Sequence, residues 1–460
     1  MKQRITRYPY FHYSICLLIV AFACSWASAQ SAPEPNREQL LNGLKVLYME
    51  RPGESNVLLK LRIQSGAAFD LAGKNGTMAL LGDALFPDPE TREYVTDQLG
   101  GKLSVSTGYD GIDITISGPA SEFERLVGLL RGAVVTTQLT PENVTKVREA
   151  RVKQLSASAG TIAEAADRAI AARLFGSFPY GQPAAGTPET VAKIDRADLL
   201  LARERFLNAD NATLVVIGGV AKLRVMRTLR QLIGPWQKSD RTVPLTFRQP
   251  AAPDSRVLLL NQANGTKAEI RLAVRGLARS DRDADAAALL AQIVRARWQT
   301  AVPDLSSTFV RHEAHALPGM FVLGASVPTA STANAIAAAQ KMLLALTQTD
   351  PTPDEFDRAR WALLTEMSGN SQSELIANIW LEADTFRLPT SEDQARLIRN
   401  LTVTDLQRVA GRLFKDASVA TVVIGDSEQL KTSFAGTAEL RSEKPVIRNT
   451  ADPVIPTKKP

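Results

Sequence analysis

Ala212-Thr213-Leu214-Val215-Val216-Ile217-Gly218 returns later in the chain as Ala420-Thr421-Val422-Val423-Ile424-Gly425. Each copy follows an amphipathic stretch opened by Asp198-Leu199 or Asp405-Leu406, and in both the glycine stands 20 positions after the aspartate. Apolar residues at helical spacing, a β-branched run and a glycine read as helix, buried strand and turn. A duplicated unit fixes the domain count before any single motif is weighed.

Two further pairs keep the same order. Thr140-Pro141-Glu142 and Thr352-Pro353-Asp354 each place an N-cap threonine before a proline at the first helical position and an acid near the positive helix end. Val57-Leu59-Leu61-Ile63 and Ala268-Ile270-Leu272-Val274 alternate with their neighbours as half-buried strands do, and Asp70 and Asp281 follow them. The expected fold is therefore α+β: two homologous domains, each an antiparallel sheet with helices packed on one face. The first spans 38–236 and the second 255–431. Pro244, Pro250 and Pro253 break any regular element in the linker, 237–254, and a flexible tail is expected over 432–460.

The amino terminus reads as a leader. Lys2, Arg4 and Arg7 precede an apolar run from Ser14 to Ala23, and Ala27-Ser28-Ala29 forms a small-residue cleavage site, giving a signal peptide over 1–29 and a periplasmic or secreted chain. Cys24 offers a lipidation site, but Phe22 fits poorly the small residue expected near it. Both cysteines, Cys16 and Cys24, lie in the leader, so the remainder has neither disulfides nor a cysteine nucleophile. Nothing after Gln30 is apolar for the roughly 20 residues a membrane span needs. The formal charge of +6 falls by half once the leader's three cations are set aside, and no basic block marks a nucleic-acid surface.

Several segments together resemble the insulinase/pitrilysin family of zinc peptidases, whose paired homologous domains close like a clamshell. Asn42-Gly43-Leu44-Lys45-Val46-Leu47 looks like the family's opening strand, and Arg62-Ile63-Gln64-Ser65-Gly66-Ala67 like the strand before its active-site helix. Phe178-Pro179-Tyr180-Gly181 with Gly186-Thr187-Pro188-Glu189 is similar to the family's "HPYG…GTPE" segment, Phe178 replacing the histidine. Asn208, Asn211 and the strand from Leu214 to Gly218 match its "PDNAxLVVVGD" ending.

Active members carry H-x-x-E-H on a helix, two histidines binding zinc and the glutamate activating its water. Here Ala79 and Asp83 stand at the histidine positions and Gly82 at the base. Alanine has no donor atom and glycine takes no proton, so no cofactor and no catalytic residue is expected. Glu149 reads either as a remnant of the third ligand or as part of a solvated helix face. His312 and His315, in Arg311-His312-Glu313-Ala314-His315, imitate a metal motif, but the repeat register puts them at a strand, where residues three apart face opposite ways.

The resemblance also implies a peptide groove along Leu103-Ser104-Val105-Ser106-Thr107, with Ser104, Ser106 and Thr107 in contact; the plainer reading is an ordinary strand with solvent-facing serines. Family members use a second-domain arginine and tyrosine on the substrate. All tyrosines here lie at or before Tyr180, which leaves Phe309 in the phenol's place and Arg297 or Arg295 near the arginine's. The expectation is a pseudopeptidase acting with a zinc-bearing paralogous subunit on peptides, as a hetero- or homodimer. A noncanonical zinc endopeptidase and a scaffold without a proteolytic partner are the alternatives.

Overall fold

The computed structural model describes residues 33–157, 160–241, 243–367, 372–435 and 446–449. The expected signal peptide over 1–29, with Cys16 and Cys24, lies outside them. The first lobe runs β1 (Asn36–Gln39), β2 (Lys45–Glu50), β3 (Asn56–Ile63), α1 (Thr77–Ala84), α2 (Pro89–Glu93), β4 (Lys102–Thr107), β5 (Ile112–Pro119), α3 (Phe123–Val134), α4 (Pro141–Ala157), α5 (Ile162–Phe175), α6 (Pro188–Val191), α7 (Arg196–Phe206), β6 (Ala212–Gly218) and α8 (Lys222–Leu232). The second repeats the plan with β7 (Leu258–Asn261), β8 (Lys267–Arg275), α9 (Ala284–Ala301), β9 (Ser306–Glu313), β10 (Met320–Pro328), α10 (Thr332–Ala345), α11 (Pro353–Met367), α12 (Ser373–Phe386), α13 (Ser391–Asn400), α14 (Val403–Phe414), β11 (Ala420–Gly425), α15 (Ser427–Ala435) and β12 (Val446–Asn449).

The α+β class and the two homologous lobes are as the duplication predicts. The sheets run β1-β2-β6-β3-β5-β4 and β12-β7-β11-β8-β10-β9, six strands each. They are mixed rather than wholly antiparallel: β6 lies parallel to β2, and β11 parallel to β7. The late strand of each lobe returns over its helices and inserts between two earlier ones, so it runs antiparallel to one neighbour and parallel to the other. Thr140 and Thr352 cap α4 and α11, accepting from the N–H of Asn143 at 3.2 Å and of Glu355 at 3.3 Å.

The helices do not keep to one face. One face of the first sheet (Val46, Leu59, Leu61, Ile114, Val216) packs on helices of its own lobe. On the other, Leu47, Leu58, Val215 and Ile217 pack against Ile376, Ala377, Trp380 and Leu381 of α12, from the second lobe. The second lobe is covered reciprocally: Ala166, Ala169, Ile170, Leu174 and Phe175 of α5 lie on Leu258, Leu260, Val322, Val422 and Ile424. This explains why β6 and β11 are buried along their whole length and carry uninterrupted apolar runs.

Polar pairs fix both crossings. Asp384 on α12 accepts from Lys45 at 3.0 Å, Gln64 at 2.7 Å and Thr213 at 2.6 Å. Arg271 on β8, 2% exposed, donates to Asp167 of α5 at 2.6 Å and to Glu269 at 3.0 Å.

The stretch assigned as linker has no regular element, yet it is packed: Leu245 lies against the apolar layer under α5, and Phe247 meets Phe178 edge-on at 5.9 Å. The expected tail boundary at 432 is corrected. α15 continues to Ala435, and β12 adds to the sheet beside β7, whose outer hydrogen-bonding edge would otherwise be bare.

Candidate functional site

Helix α1 carries the three motif positions, and its entry is built with care. Asp70 accepts the N–H of Gly76 at 2.6 Å and of Met78 at 2.8 Å, filling orphan donors at the helix start. Burial pushes its carboxyl up to about 7, outweighing those bonds, which favour the charged form. Gly76 adopts φ +97°, and a Cβ there would meet the Ala185 carbonyl oxygen at 2.9 Å. Only glycine permits that approach of the 181–187 segment.

Met78, Leu80, Leu81 and Ala84 enter the apolar core of the first lobe. Ala79 and Asp83, one turn apart, face α4 instead. There Arg151 donates from Nε to Asp83 at 2.7 Å, from Nη2 to the Ala79 carbonyl at 3.3 Å and from Nη1 to the Ala185 carbonyl at 3.5 Å. Gly82 faces β4; a Cβ on it would stand 3.0 Å from Thr107 Oγ1 and 3.3 Å from Val105 Cγ1. A glutamate has no easy room there.

This arrangement does not fit zinc. A closed or catalytic zinc site needs at least three protein donors, and the one carboxylate present is bonded to a guanidinium. Among the described residues no group of three or more His, Cys, Asp or Glu is placed to hold a metal. Glu149 lies on the exposed side of α4 beside Lys146 and Lys153. Arg151, two residues on, is the one that turns to α1.

The two histidines diverge, as a strand end requires. His312 Nε2 accepts the N–H of Leu277 at 2.9 Å, and burial pushes the imidazole down to about 4. His315, past the end of β9, reaches the first lobe: its Nδ1 is 3.0 Å from Asp110, and its ring packs on Tyr180 at 4.6 Å and Tyr109 at 5.2 Å. Asp110 also accepts the N–H of Ala316, and the Tyr180 hydroxyl that of Leu317, at 3.1 and 3.0 Å. The β4–β5 turn and the "HPYG"-like segment thus form a latch to the second lobe. Phe178 is core to it, stacked on Phe175 at 5.7 Å and edge-on to Tyr180 at 5.4 Å.

β4 is an edge strand of its sheet. Ser104 and Ser106 stand on the face opposite Leu103 and share it with Thr115 and Asp113 of β5, where Arg62 pairs with Asp113 at 2.7 Å. Thr107 faces the other way, onto Gly82, so the three expected contact residues do not share one face. Arg297 and Phe309 are not brought together. Arg297 on α9 is bound at both ends of its guanidinium to Glu355 of α11, at 2.7 and 2.8 Å. Phe309 lies on the far side of β9, against Gly324 and the guanidinia of Arg271 and Arg311. Strand alternation puts the sheet between them. A cleft of about 490 Å³ opens between the lobes, lined by Tyr109, Ala169, Gln182, Arg311, Glu313 and Val322.

Arg151 and the latch were missed from sequence. A lone arginine on a solvated helix carries no signal, and Asp110 and His315 are 205 positions apart.

The description of the peptidase M16 inactive domain matches residues 193–363. The bovine cytochrome b-c1 complex subunit 1 is 24% identical over 229 residues, 49% of this chain and 46% of that protein, so the match spans about half the relative's length. Among solved structures, a peptidase M16 inactive domain from Pseudomonas fluorescens superposes with TM-score 0.76 at 17% identity, covering 90% of this chain and all of that one. The periplasmic protease PqqL from Escherichia coli gives 0.71 at 15% identity over 88% of this chain and 49% of its own length. These likenesses establish the fold.

Proposed function

We propose that the chain is a pseudopeptidase of the insulinase/pitrilysin (M16) peptidase type, a member that does not cleave peptides alone. The observation that carries this reading is the Asp83–Arg151 pair, with Ala79 and Gly82 beside it, at the motif positions. Water activation by zinc needs a donor set and a proton acceptor, and neither side-chain methyl nor glycine supplies one. The chain's contribution is a peptide-binding wall: edge strand β4 offers unpaired backbone groups to an extended peptide, with Ser104 and Ser106 on the polar face beside it. A zinc-bearing paralogous subunit supplies the chemistry. The leader over 1–29 and the likeness to a periplasmic protease support an exported complex. Among the described residues no helix is long and apolar enough to cross a membrane.

The test measures hydrolysis of fluorogenic peptides by the purified chain, by an H-x-x-E-H-bearing exported homologue from the same cells, and by the mixture. The expected result is no turnover by this chain and greater turnover by the mixture than by the homologue alone. Chelator-sensitive cleavage by the isolated chain at rates comparable with the mixture overturns the proposal. A second reading, scaffold without a proteolytic partner, draws on the likeness to a respiratory-complex subunit and is favoured if the homologue neither binds nor responds.

A further inference from the structure

We infer that Arg151 stands in place of a metal ion, and that positions 79, 83 and 151 form a latent ligand triangle held shut by its guanidinium. The inference rests on the reading that Ala79 and Asp83 occupy the motif's ligand positions. Its own support is geometric. Ala79 and Asp83 project from one face of α1, one turn apart. Arg151 is the side chain of α4 that reaches that face, and it touches both residues: Asp83 through its carboxylate, Ala79 through its carbonyl. A third bond, to the Ala185 carbonyl, draws in the 181–187 segment. One cation therefore ties together three pieces of chain, as a structural metal does.

The burial pattern agrees. Ala79 is 2% exposed, yet it does not join the apolar cluster that takes Met78, Leu80, Leu81 and Ala84. It is buried on the side of α1 that Arg151 bonds to, and Arg151's side chain is itself only 14% exposed. A methyl fits there. An imidazole at 79 and a guanidinium at 151 would compete for the same space, and a divalent cation would be repelled by the fixed positive charge.

The consequence is specific. Restoring both histidines leaves the third corner cationic and the site closed. Replacing Arg151 by glutamate as well removes the charge and aims a carboxylate at the same place, its shorter stem matched by the longer imidazole at 83.

The experiment compares A79H/D83H with A79H/D83H/R151E, each equilibrated with zinc and desalted, reading zinc per chain by elemental analysis and zinc-dependent thermal unfolding. The triple variant should retain one zinc per chain and unfold at a higher temperature with zinc than with chelator; the double variant should retain none. Stoichiometric zinc in the double variant overturns the inference, as does a folded triple variant that takes none. Should the triple variant fail to fold, A79C/R151E, which keeps Asp83 as a donor and adds little bulk at 79, should show a zinc-dependent rise in unfolding temperature that A79C alone lacks; no rise overturns the inference. Gly82 is untouched throughout, so uptake is read without hydrolysis. Peptide cleavage by the unmodified chain would defeat the proposed function and leave this result standing.

Discussion

Asp384, on the helix that the second lobe lays across the first, accepts a hydrogen bond from Thr213 of β6 at 2.6 Å. Its counterpart is Arg271, which reaches from the second sheet to Asp167 on the helix lent by the first lobe, also at 2.6 Å. The two lobes hold each other by an exchange of helices, each pinned by one charged residue at the sheet. The molecule's resistance to opening should therefore concentrate at these residues.

Asp384→Ala removes the acceptor for Lys45, Gln64 and Thr213 together. We expect a loss of about 2–3 kcal/mol, typical of charged hydrogen bonds with buried partners, measured as a shift in urea midpoint. Trp380→Ala, which empties the apolar contact on the same helix, should cost about 3–5 kcal/mol. If both variants match the unmodified chain, α12 does not hold the first lobe.

Arg271→Met and Asp167→Asn should differ sharply although they break one ion pair. Arg271 is almost wholly buried, and its loss strands Glu269 as well, which predicts about 3–5 kcal/mol. Asp167 is 40% exposed, and solvent screening limits its loss to about 1 kcal/mol. Equal effects in equilibrium unfolding would contradict the asymmetry of burial.

Two half-buried groups make stability depend on pH in opposite directions. His312 is held down to about 4. Between that value and the ordinary imidazole value near 6.5 the unfolded chain binds more protons, so its stabilising effect, whole above about 6.5, is lost as pH falls, by up to about 3 kcal/mol. Asp70 is raised to about 7 from an ordinary value near 3.8. There the folded chain binds more protons, and stability falls as pH rises from about 4 to about 7, by up to about 4 kcal/mol. His312→Gln should raise stability at pH 5 relative to pH 7, and Asp70→Asn should do the reverse; chemical denaturation at both pH values checks the signs.

Gly82→Glu should lower the unfolding temperature rather than create a base, because its Cβ would lie 3.0 Å from Thr107 Oγ1. Overpacking of this kind costs about 1–3 kcal/mol. Thr107→Ala in the same chain should recover part of the loss by removing the obstructing hydroxyl. An additive double variant would show that β4 and α1 are not in contact there.

Arg151→Ala leaves Asp83 without its cation and the Ala185 carbonyl without its donor. The expected cost is about 2 kcal/mol. Hydrogen exchange should rise in 181–187 before it rises in the core of α1, and unchanged exchange in that segment would argue that other contacts hold it.

The sequence by itself determined the duplication, the α+β class and most strand faces, because those follow from local periodicity: Val57 to Ile63 alternates on any sheet of this kind. It also determined that Ala79 and Gly82 offer no metal ligand and no proton acceptor, since donor chemistry belongs to the residues themselves. The uninterrupted runs at Leu214–Ile217 and Val422–Ile424 read as buried strands, but helices expected on one face of each sheet left the cover of the other face unstated. What buries them is not local: Trp380 reaches its partners from the other lobe. The tertiary structure alone decided that exchange of helices, the divergence of Arg297 from Phe309 and the meeting of Arg151 with Asp83. Each depends on distant segments arriving at one place, and no spacing along the chain encodes the distance between side chains that only folding brings together.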